Sequence, residues 1–426
     1  MTQGRKPIHR DAWVVAVFSL LVSLIAVFVI FPSQSLVSNQ PDPYEFSALG
    51  KAIARGEGFH GEMLGRRAPL YPLLVGAIYF VFGEHERLVQ IAQCLMLAGI
   101  CLLVRDIAIR VYERPRAGLI AGLACAVHPS FLRYVPDFHL EVLLTFTVTL
   151  MVWTSVRFRQ ESTYSRAVAF GVATGLASLT KAVMLLYPGV FGLFWLWEER
   201  ARLRAPLSKL VLLVLPLGLV AVSMALTIAP WTARNYAVSG KLVPISTGLS
   251  DAFLRGFVFS KTEYITLREP PYTGAENEVN AQFRALCAAE GKVWEQDPLE
   301  TEAILGKEAK RKLAAEPGAA IKKALIGVFT FWYQMTSLKT SLVAGVMALG
   351  AWILAAIGVP QARRERRRQW LVFAPVLYLN FFLAALLSLG RYSVPVLPTL
   401  IVASAFGLDV LLSRLWPGKL SGGAGA

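Results

Sequence analysis

Residues 88–133 read LVQIAQCLMLAGICLLVRDIAIRVYERPRAGLIAGLACAVHPSFLR. An apolar run over 88–110 ends in a basic cluster, 105–116, and a second apolar run over 117–133 leads away from it. A helix crosses a bilayer with about 20 apolar residues, and about 17 is near the lower bound. Short clusters of Lys and Arg between such runs mark the cytoplasmic side. The stretch therefore reads as two membrane helices joined by a cytoplasmic turn. Four more basic clusters, at 5–10, 157–166, 198–209 and 363–368, sit beside apolar runs in the same way. All five are placed in the cytoplasm.

The whole-chain numbers agree. Of 426 residues, 55% are hydrophobic and 17% charged, against about a quarter charged in soluble domains; mean hydropathy is +0.52. A disordered chain is excluded, and a soluble enzyme of ordinary composition disfavoured. The net charge is +15, from 43 Lys+Arg and 28 Asp+Glu. That charge lies in the clusters between apolar runs, not in a polar domain interleaved with aromatics, so no nucleic-acid partner is implied. Cys94, Cys101, Cys125 and Cys287 form no CxxC pair, and His9, His60, His85, His128 and His139 show no metal-ligand spacing with them.

Working outward, the basic start followed by the apolar run 12–31 is too long for a signal-peptide core and has no A-x-A site. It is read as an uncleaved first span with a cytoplasmic N-terminus. The polar stretch 32–67 is then external. The run 69–82 is short, and a crossing there would put the 105–116 cluster outside, so 69–83 is placed at the outer interface or as a re-entrant segment. Further spans are expected at 88–110, 117–133, 140–157 and 207–229, with two short helices in 167–197 that turn at Lys181. The polar stretch 230–323 reads as an external insertion with helices at 276–291 and 299–315, too small and polar to promise an independent core. Residues 321–338 read as an interfacial helix. Spans at 340–360, 370–389 and 393–413 follow, and the C-terminal SGGAGA reads as an unstructured tail ending in the cytoplasm.

The expected fold is an all-α polytopic membrane protein. It has about 10 spans (8–12), juxtamembrane helices in the first external loop (32–87) and a partly helical external loop. Its modules are 1–229, 230–323 and 324–426. The expected location is the cell's inner (plasma) membrane, with an extracytoplasmic active site.

Ionisable groups near spans cost a few kcal/mol each, by roughly the scale of insertion measurements, and call for a reason. On this topology most of the unusual ones fall at the outer ends: Asp42, Glu45, Arg66, Arg67, His128, Arg133, Asp137, His139, Glu141, Lys181, Arg234 and Arg391. Each has an ordinary account. Lys181 and Arg391 suit snorkelling anchors, Asp42 a helix cap, Glu141 a helix N-terminus, the histidines satisfied interface residues. Asp106, at the opposite end, suits a pair with Arg110. Their convergence on one face instead suggests a hollow that holds an anion: a phosphate needs two or three cationic donors, and a partly buried carboxylate suits general-base work.

Six motifs in order resemble the GT-C superfamily of integral-membrane glycosyltransferases. The nearest resemblance is to the group of dolichyl-phosphate-mannose protein mannosyltransferases and bacterial aminoarabinose lipid A transferases. The motifs are Asp42-Pro-Tyr-Glu-Phe46 leading to Gly56-Glu-Gly58-Phe59; Ala68-Pro-Leu-Tyr-Pro-Leu-Leu74; His128-Pro129 through Tyr134 to Glu141; GVATGLASLTK ending at Lys181; Pro230-Trp-Thr-Ala-Arg-Asn-Tyr236 with Ile245-Ser-Thr247; and Arg391-Tyr392 with Pro395 and Pro398. Lysine at 181 replaces the family's arginine, Leu140 and Val142 flank Glu141 in place of Thr and Pro, and GLSDAFLRG replaces an Asn/Gly-rich run after Thr247.

The resemblance implies transfer of a sugar from a polyprenyl-phosphate donor to a lipid, glycan or protein acceptor at the outer face, with inversion. Asp42 matches the family's catalytic base. Glu141 matches a second acidic position that orients sugar or acceptor, with His139 and Arg133 as neighbours. Lys181, Arg234 and Arg391 are the candidates for the lipid phosphate. Tyr44, Arg66, Tyr71 and Tyr392 complete the cavity candidates. No DxD pair or P-loop occurs, which favours a lipid-linked monophosphate donor over a nucleotide sugar. No cofactor is required; a divalent cation stays open, with no ligand set in the sequence. Two rival readings share the basic residues: a transporter or flippase of lipid-linked glycan, which would favour midplane charges and repeats, and an O-antigen-type ligase.

Overall fold

A computed structural model of the chain describes residues 6–32, 41–59, 67–200, 207–294 and 296–416. The described residues form helices and connecting turns, with no strand among them. Their order is α1 (Lys6–Ile25), continued by a π-helical turn over Ala26–Ile30, then α2 (Pro41–Ala54), α3 (Leu70–Phe82), α4 (Glu86–Tyr112), α5 (Pro115–Ala126), α6 (Pro129–Tyr134), α7 (Glu141–Gln160), α8 (Tyr164–Thr180), α9 (Tyr187–Glu198) and α10 (Leu207–Ser239). The polar insertion holds α11 (Leu249–Phe259), α12 (Thr262–Ile265), α13 (Glu276–Ala289) and α14 (Pro298–Ala315). The chain returns through α15 (Pro317–Tyr333), α16 (Leu338–Arg364), α17 (Trp370–Ala385) and α18 (Leu397–Leu415), with 3-10 turns at Ala182–Leu186 and Gly390–Val396.

Six helices among the described residues are long and apolar enough to cross a membrane: Arg10–Ile30, Glu86–Tyr112, Glu141–Gln160, Val214–Ser239, Leu338–Arg364 and Gly390–Leu415. Shorter apolar helices lie at Leu70–Phe82, Ala182–Glu198 and Trp370–Ala385. This is the all-helical, multi-pass membrane architecture expected from the sequence. α3, at 1.5 Å per residue, is about 20 Å long against a hydrocarbon core of about 30 Å.

Local chemistry explains the breaks. α4 stops at Glu113, which adopts the left-handed conformation, and Pro115 opens α5 at its first turn, giving a two-residue reversal. The expected span 117–133 is interrupted at Val127: His128 leaves the helix, its Nδ1 accepts the Ser130 N–H at 3.3 Å, and Pro129 starts α6. Lys181, in extended conformation, ends α8 where the sequence placed a turn. α10 departs from expectation. It runs through Pro216 and Pro230 to Ser239, so the stretch 230–239, read as the start of the polar insertion, is the C-terminal end of a long helix.

The bundle closes on small residues. A Cβ at Gly171 of α8 would sit 2.4 Å from the Val220 carbonyl of α10, and one at Gly407 of α18 would sit 1.7 Å from the Leu354 carbonyl of α16. Such backbone-to-backbone approach is how helices associate where lipid is as apolar as leucine. The outward faces of α10 (Val222, Leu226) and α16 (Leu342, Val346, Leu349, Ile353) remain exposed and apolar, a patch suited to lipid rather than water.

The two ends of the bundle differ in charge chemistry. At one end the basic clusters interlock: Arg114 with Glu365 (2.5 Å), Arg367 with Glu113 (2.5 Å), Arg159 with Glu198 and Glu199 (2.9 and 2.6 Å), Arg368 with Glu198 (2.9 Å), and Arg116 with Asp409 (3.5 Å). Asp106 there pairs with Arg110 and accepts the Trp153 indole N–H at 2.6 Å. Four of the five clusters that the sequence assigned to one side thus meet through ion pairs or lie on joined helices. At the other end lie the N-terminus of α7 and the ends of α8, α10 and α17. There the external helices pack a small core of Leu254, Val258, Phe259, Tyr264, Val279, Phe283 and Leu305. That core also includes Leu387 and Leu389 from the segment after α17; the insertion completes its interior with residues of the membrane bundle.

Candidate functional site

Asp42 lies in the first turn of α2. The face of α2 carrying Phe46 and Leu49 is buried. Phe46 meets the ring of Tyr71 on α3 edge-on at 5.0 Å. This packing fixes where Asp42 points. Arg67, just before α3, donates through Nη2 to Asp42 Oδ1 at 2.7 Å and through Nε to Glu45 Oε2 at 2.7 Å. Arg391, in the turn before α18, donates through Nη1 to Asp42 Oδ2 at 3.1 Å. Each carboxylate oxygen of Asp42 therefore accepts from a different arginine. Burial alone would raise the Asp42 carboxyl, but Arg391, then Arg67 and His139, hold it well below the usual carboxylate range.

Beside this clasp is a pocket lined by Glu141, Lys181, Arg391 and Tyr392 over an apolar floor that includes Leu379 and Leu383. Lys181 reaches it because the break after α8 frees its backbone from the helix; its Nζ stands 3.8 Å from the centre of the Tyr392 ring, a cation–π distance. Arg391 Nη2 is 3.5 Å from the Tyr392 hydroxyl. Glu141 is the first residue of α7 and is buried; its Oε2 has no hydrogen-bond partner among the described residues. A buried, unsatisfied acceptor in a pocket between two cations marks a place for a ligand donor.

A second group borders the pocket. Asp137 accepts from Arg133 at 3.1 Å and from the Phe138 N–H at 2.9 Å, and its Oδ2 lies 3.2 Å from His139 Nδ1. Burial would lower the His139 imidazole, but Asp137 and Glu141 together raise it above its ordinary value. Burial would raise Asp137, and His139 and Arg133 bring it below. The loop is pinned from α4: Gln90 Nε2 donates to the Pro136 carbonyl (2.6 Å), and Gln93 Nε2 to those of Val135 (2.8 Å) and Asp137 (2.9 Å). The sequence reading did not single out these two glutamines, although two amides three residues apart inside an apolar span were a visible signal.

The structure thus brings together Asp42, Arg391, Lys181, Tyr392 and Glu141, with Arg133 and His139 alongside. It adds Arg67, Glu45 and Asp137, which the sequence had placed at this end without a role. Other candidates sit elsewhere. Arg234 is at the same end of the bundle but donates to the Phe59 carbonyl at 2.8 Å and lies 4.9 Å from the Trp231 ring centre. Tyr71 is buried in the α2–α3 interface, its hydroxyl donating to Gln93 Oε1 at 3.1 Å. Tyr44 is on the open face of α2, 64% exposed. Arg66 lies outside the described residues.

Among the described residues, no three His, Cys, Asp or Glu side chains gather to hold a metal ion. The donor set also disagrees with a cation here: both oxygens of Asp42 already accept from guanidinium groups, and Lys181 adds a third positive charge. A divalent ion would have to displace arginines to bind, so no step is built on one.

Comparison with known proteins agrees with this architecture. Residues 66–228 match the family model described as dolichyl-phosphate-mannose-protein mannosyltransferase. No curated protein matches the sequence. Among solved structures, the chain is similar to the archaeal oligosaccharyltransferase AglB from Archaeoglobus fulgidus in complex with an inhibitory peptide and a dolichol-phosphate, with TM-score 0.59 and 13% identity over 95% of this chain and 51% of that one. The apo oligosaccharyltransferase of the same organism gives TM-score 0.59 and 15% identity over the same shares. ArnT from Cupriavidus metallidurans bound to undecaprenyl phosphate gives TM-score 0.44 and 17% identity, over 95% of this chain and 80% of that one. The chain spans about half the length of the archaeal proteins it resembles. The fold is shared with the archaeal oligosaccharyltransferase.

Proposed function

We propose that the protein transfers a sugar from a polyprenyl-phosphate donor to a lipid, glycan or protein acceptor, at the extracytoplasmic face of the membrane and with inversion. The observation that carries this reading is the pocket between Lys181, Arg391 and Glu141, floored by leucines and adjoining the Asp42 clasp. An apolar floor under two cations suits a phosphate on a prenyl chain. The family match over residues 66–228 and the dolichol-phosphate bound to the archaeal fold relative support the same substrate class.

In the proposed reaction, the donor phosphate sits against Lys181 and Arg391. The acceptor hydroxyl or amine attacks the anomeric carbon from the opposite side. Its bond to that carbon forms as the bond from carbon to phosphate oxygen breaks. The leaving phosphate takes the electron pair, and the two cations stabilise its growing charge. The acceptor proton passes to Asp42. In the resting state two arginines hold Asp42 too acidic for that task. A phosphate that engages Arg391 draws it away from Asp42, and the carboxylate gains proton affinity as it loses a cationic neighbour. Donor binding would thereby switch on the base. Glu141, with its unsatisfied oxygen, accepts a sugar hydroxyl.

The interlocked arginines at the opposite end, which the positive-inside rule favours in the cytoplasm, support the outward orientation. The test is purified protein in liposomes with a polyprenyl-phosphate sugar, reading release of the prenyl phosphate with and without acceptor. Acceptor-dependent release supports the proposal. Movement of intact donor across the bilayer with no release, whatever acceptor is supplied, would overturn it in favour of transport.

A further inference from the structure

Lys323, on α15, is 3% exposed, yet no carboxylate pairs with it among the described residues. Its Nζ donates to two backbone carbonyls, Phe253 on α11 at 3.0 Å and Leu386 just past α17 at 3.2 Å. It also stands 3.8 Å and 4.6 Å from the ring centres of Phe253 and Phe257. Burying a lysine without a counter-charge is costly, and it persists only where the surrounding dipoles compensate. The Leu386 carbonyl at the C-terminal end of α17 is such a dipole.

What this lysine joins is informative. Leu386 begins the irregular segment that leads to Arg391. α15 grips that segment along its length: Ser388 Oγ donates to the Gly327 carbonyl at 2.6 Å, and the Gly390 N–H donates to the Gln334 carbonyl at 2.8 Å. On its other side α15 grips the external helices. Gln334 Nε2 donates to the Phe259 and Tyr264 carbonyls (3.2 and 3.3 Å), and the Tyr333 hydroxyl donates to the Ile265 carbonyl (3.1 Å). α11 presses on the same spot directly, since a Cβ at Gly256 would lie 1.9 Å from the Leu386 carbonyl. One side chain, Lys323, touches all three parts.

We infer that Lys323 is a positioning residue: it clamps the external helices to the 386–391 segment and so sets Arg391 against Asp42. The claim rests on the proposed role of Arg391. It extends that reading by coupling the helices of the insertion to the Asp42 clasp, so that displacement of α11 is felt at Arg391. A misplacement of about 1 Å at a reacting centre can cost about 100-fold in rate, and a guanidinium 3.1 Å from its carboxylate has little slack.

The test compares Lys323→Met and Gly256→Ala, which disturb the clamp from opposite sides, in full-length purified protein. Hydrogen exchange of the peptide containing residues 386–392 is read first, because it does not depend on catalysis. Faster exchange at this segment in either folded variant, with exchange in α4 and α7 unchanged, supports the clamp; unchanged exchange in the folded variants overturns it. Sugar transfer is read second. Lys323→Met is expected to lower kcat about 10- to 100-fold, with KM for the donor within a factor of two or so. In an Arg391→Lys background it should cost nothing further, because its effect runs through Arg391. Additive losses would overturn the positioning role. If the unmodified protein transfers no sugar, the functional proposal fails and hydrogen exchange alone decides the clamp.

Discussion

Asp42→Asn tests the catalytic clasp with the smallest change in shape. The carboxylate accepts from Arg67 at 2.7 Å and from Arg391 at 3.1 Å. At an effective dielectric of about 20, contacts at those distances have gross Coulomb energies of about 6 and about 5 kcal/mol. Desolvation of three charged groups offsets most of that sum. Removing one partner from a buried pair costs about 3–5 kcal/mol, but these side chains keep 19–24% of their surface exposed. Water then screens the orphaned arginines, and the net loss is expected nearer 2 kcal/mol. Thermal unfolding in detergent would report it as a fall of a few degrees. The amide keeps a hydrogen-bond acceptor for one guanidinium, so the variant should fold and bind prenyl phosphate. It has no proton-accepting group, and loss of a general base costs about 100- to 10,000-fold in rate. Release of prenyl phosphate from a lipid-linked sugar by purified protein measures that loss. Full turnover in a folded Asp42→Asn protein would refute the base role and the switch proposed with it.

Lys181→Met should weaken prenyl-phosphate binding by about 10- to 100-fold, the worth of one charge-assisted hydrogen bond, in a titration of the purified protein with the lipid phosphate alone. Because Asp42 is held below its ordinary value of 3.8, its ion pairs contribute full stability above that value. The contribution is lost as pH falls below it toward the lower folded value; unfolding of wild type and Asp42→Asn should converge in acid and separate at neutral pH. Arg159→Ala removes the cation shared by Glu198 and Glu199, leaving Glu198 its pair with Arg368. It should cost about 2–4 kcal/mol of stability with turnover per folded molecule unchanged, read by unfolding and transfer assays side by side. Gly171→Val places a side chain where the Val220 backbone lies and should destabilise the α8–α10 contact by about 1–3 kcal/mol, read as a lower melting temperature.

The membrane architecture was legible because apolar length and arginine placement act at the scale of whole segments. The position of Lys181 at a turn was legible for the same reason, since a charge inside an apolar run needs a break. α10 was misread at Pro230 because proline and the polar residues after it resemble a helix end in a soluble chain. At a membrane surface the helix continues, with Trp231 and Thr232 donating to the carbonyls of Ile245 and Pro244. Choosing between the neighbours Arg66 and Arg67 required the path of the chain into α3, which no pattern encodes. Arg234 was grouped with Lys181 and Arg391 on motif grounds, whereas its guanidinium is taken up by the Phe59 carbonyl. Lys323 lies in the stretch 321–338, read from the sequence as an interfacial helix. Its burial depends on α11 and α17 meeting above it, a contact between segments far apart in sequence.

The bond between Asp42 and Arg391 joins residues 349 positions apart. During synthesis the acidic member emerges 349 residues before its partner. Until the turn before α18 emerges, Asp42 and Glu45 share a single arginine, and the pocket lacks both Arg391 and Tyr392. The pocket is thus completed only once the turn before α18 has emerged.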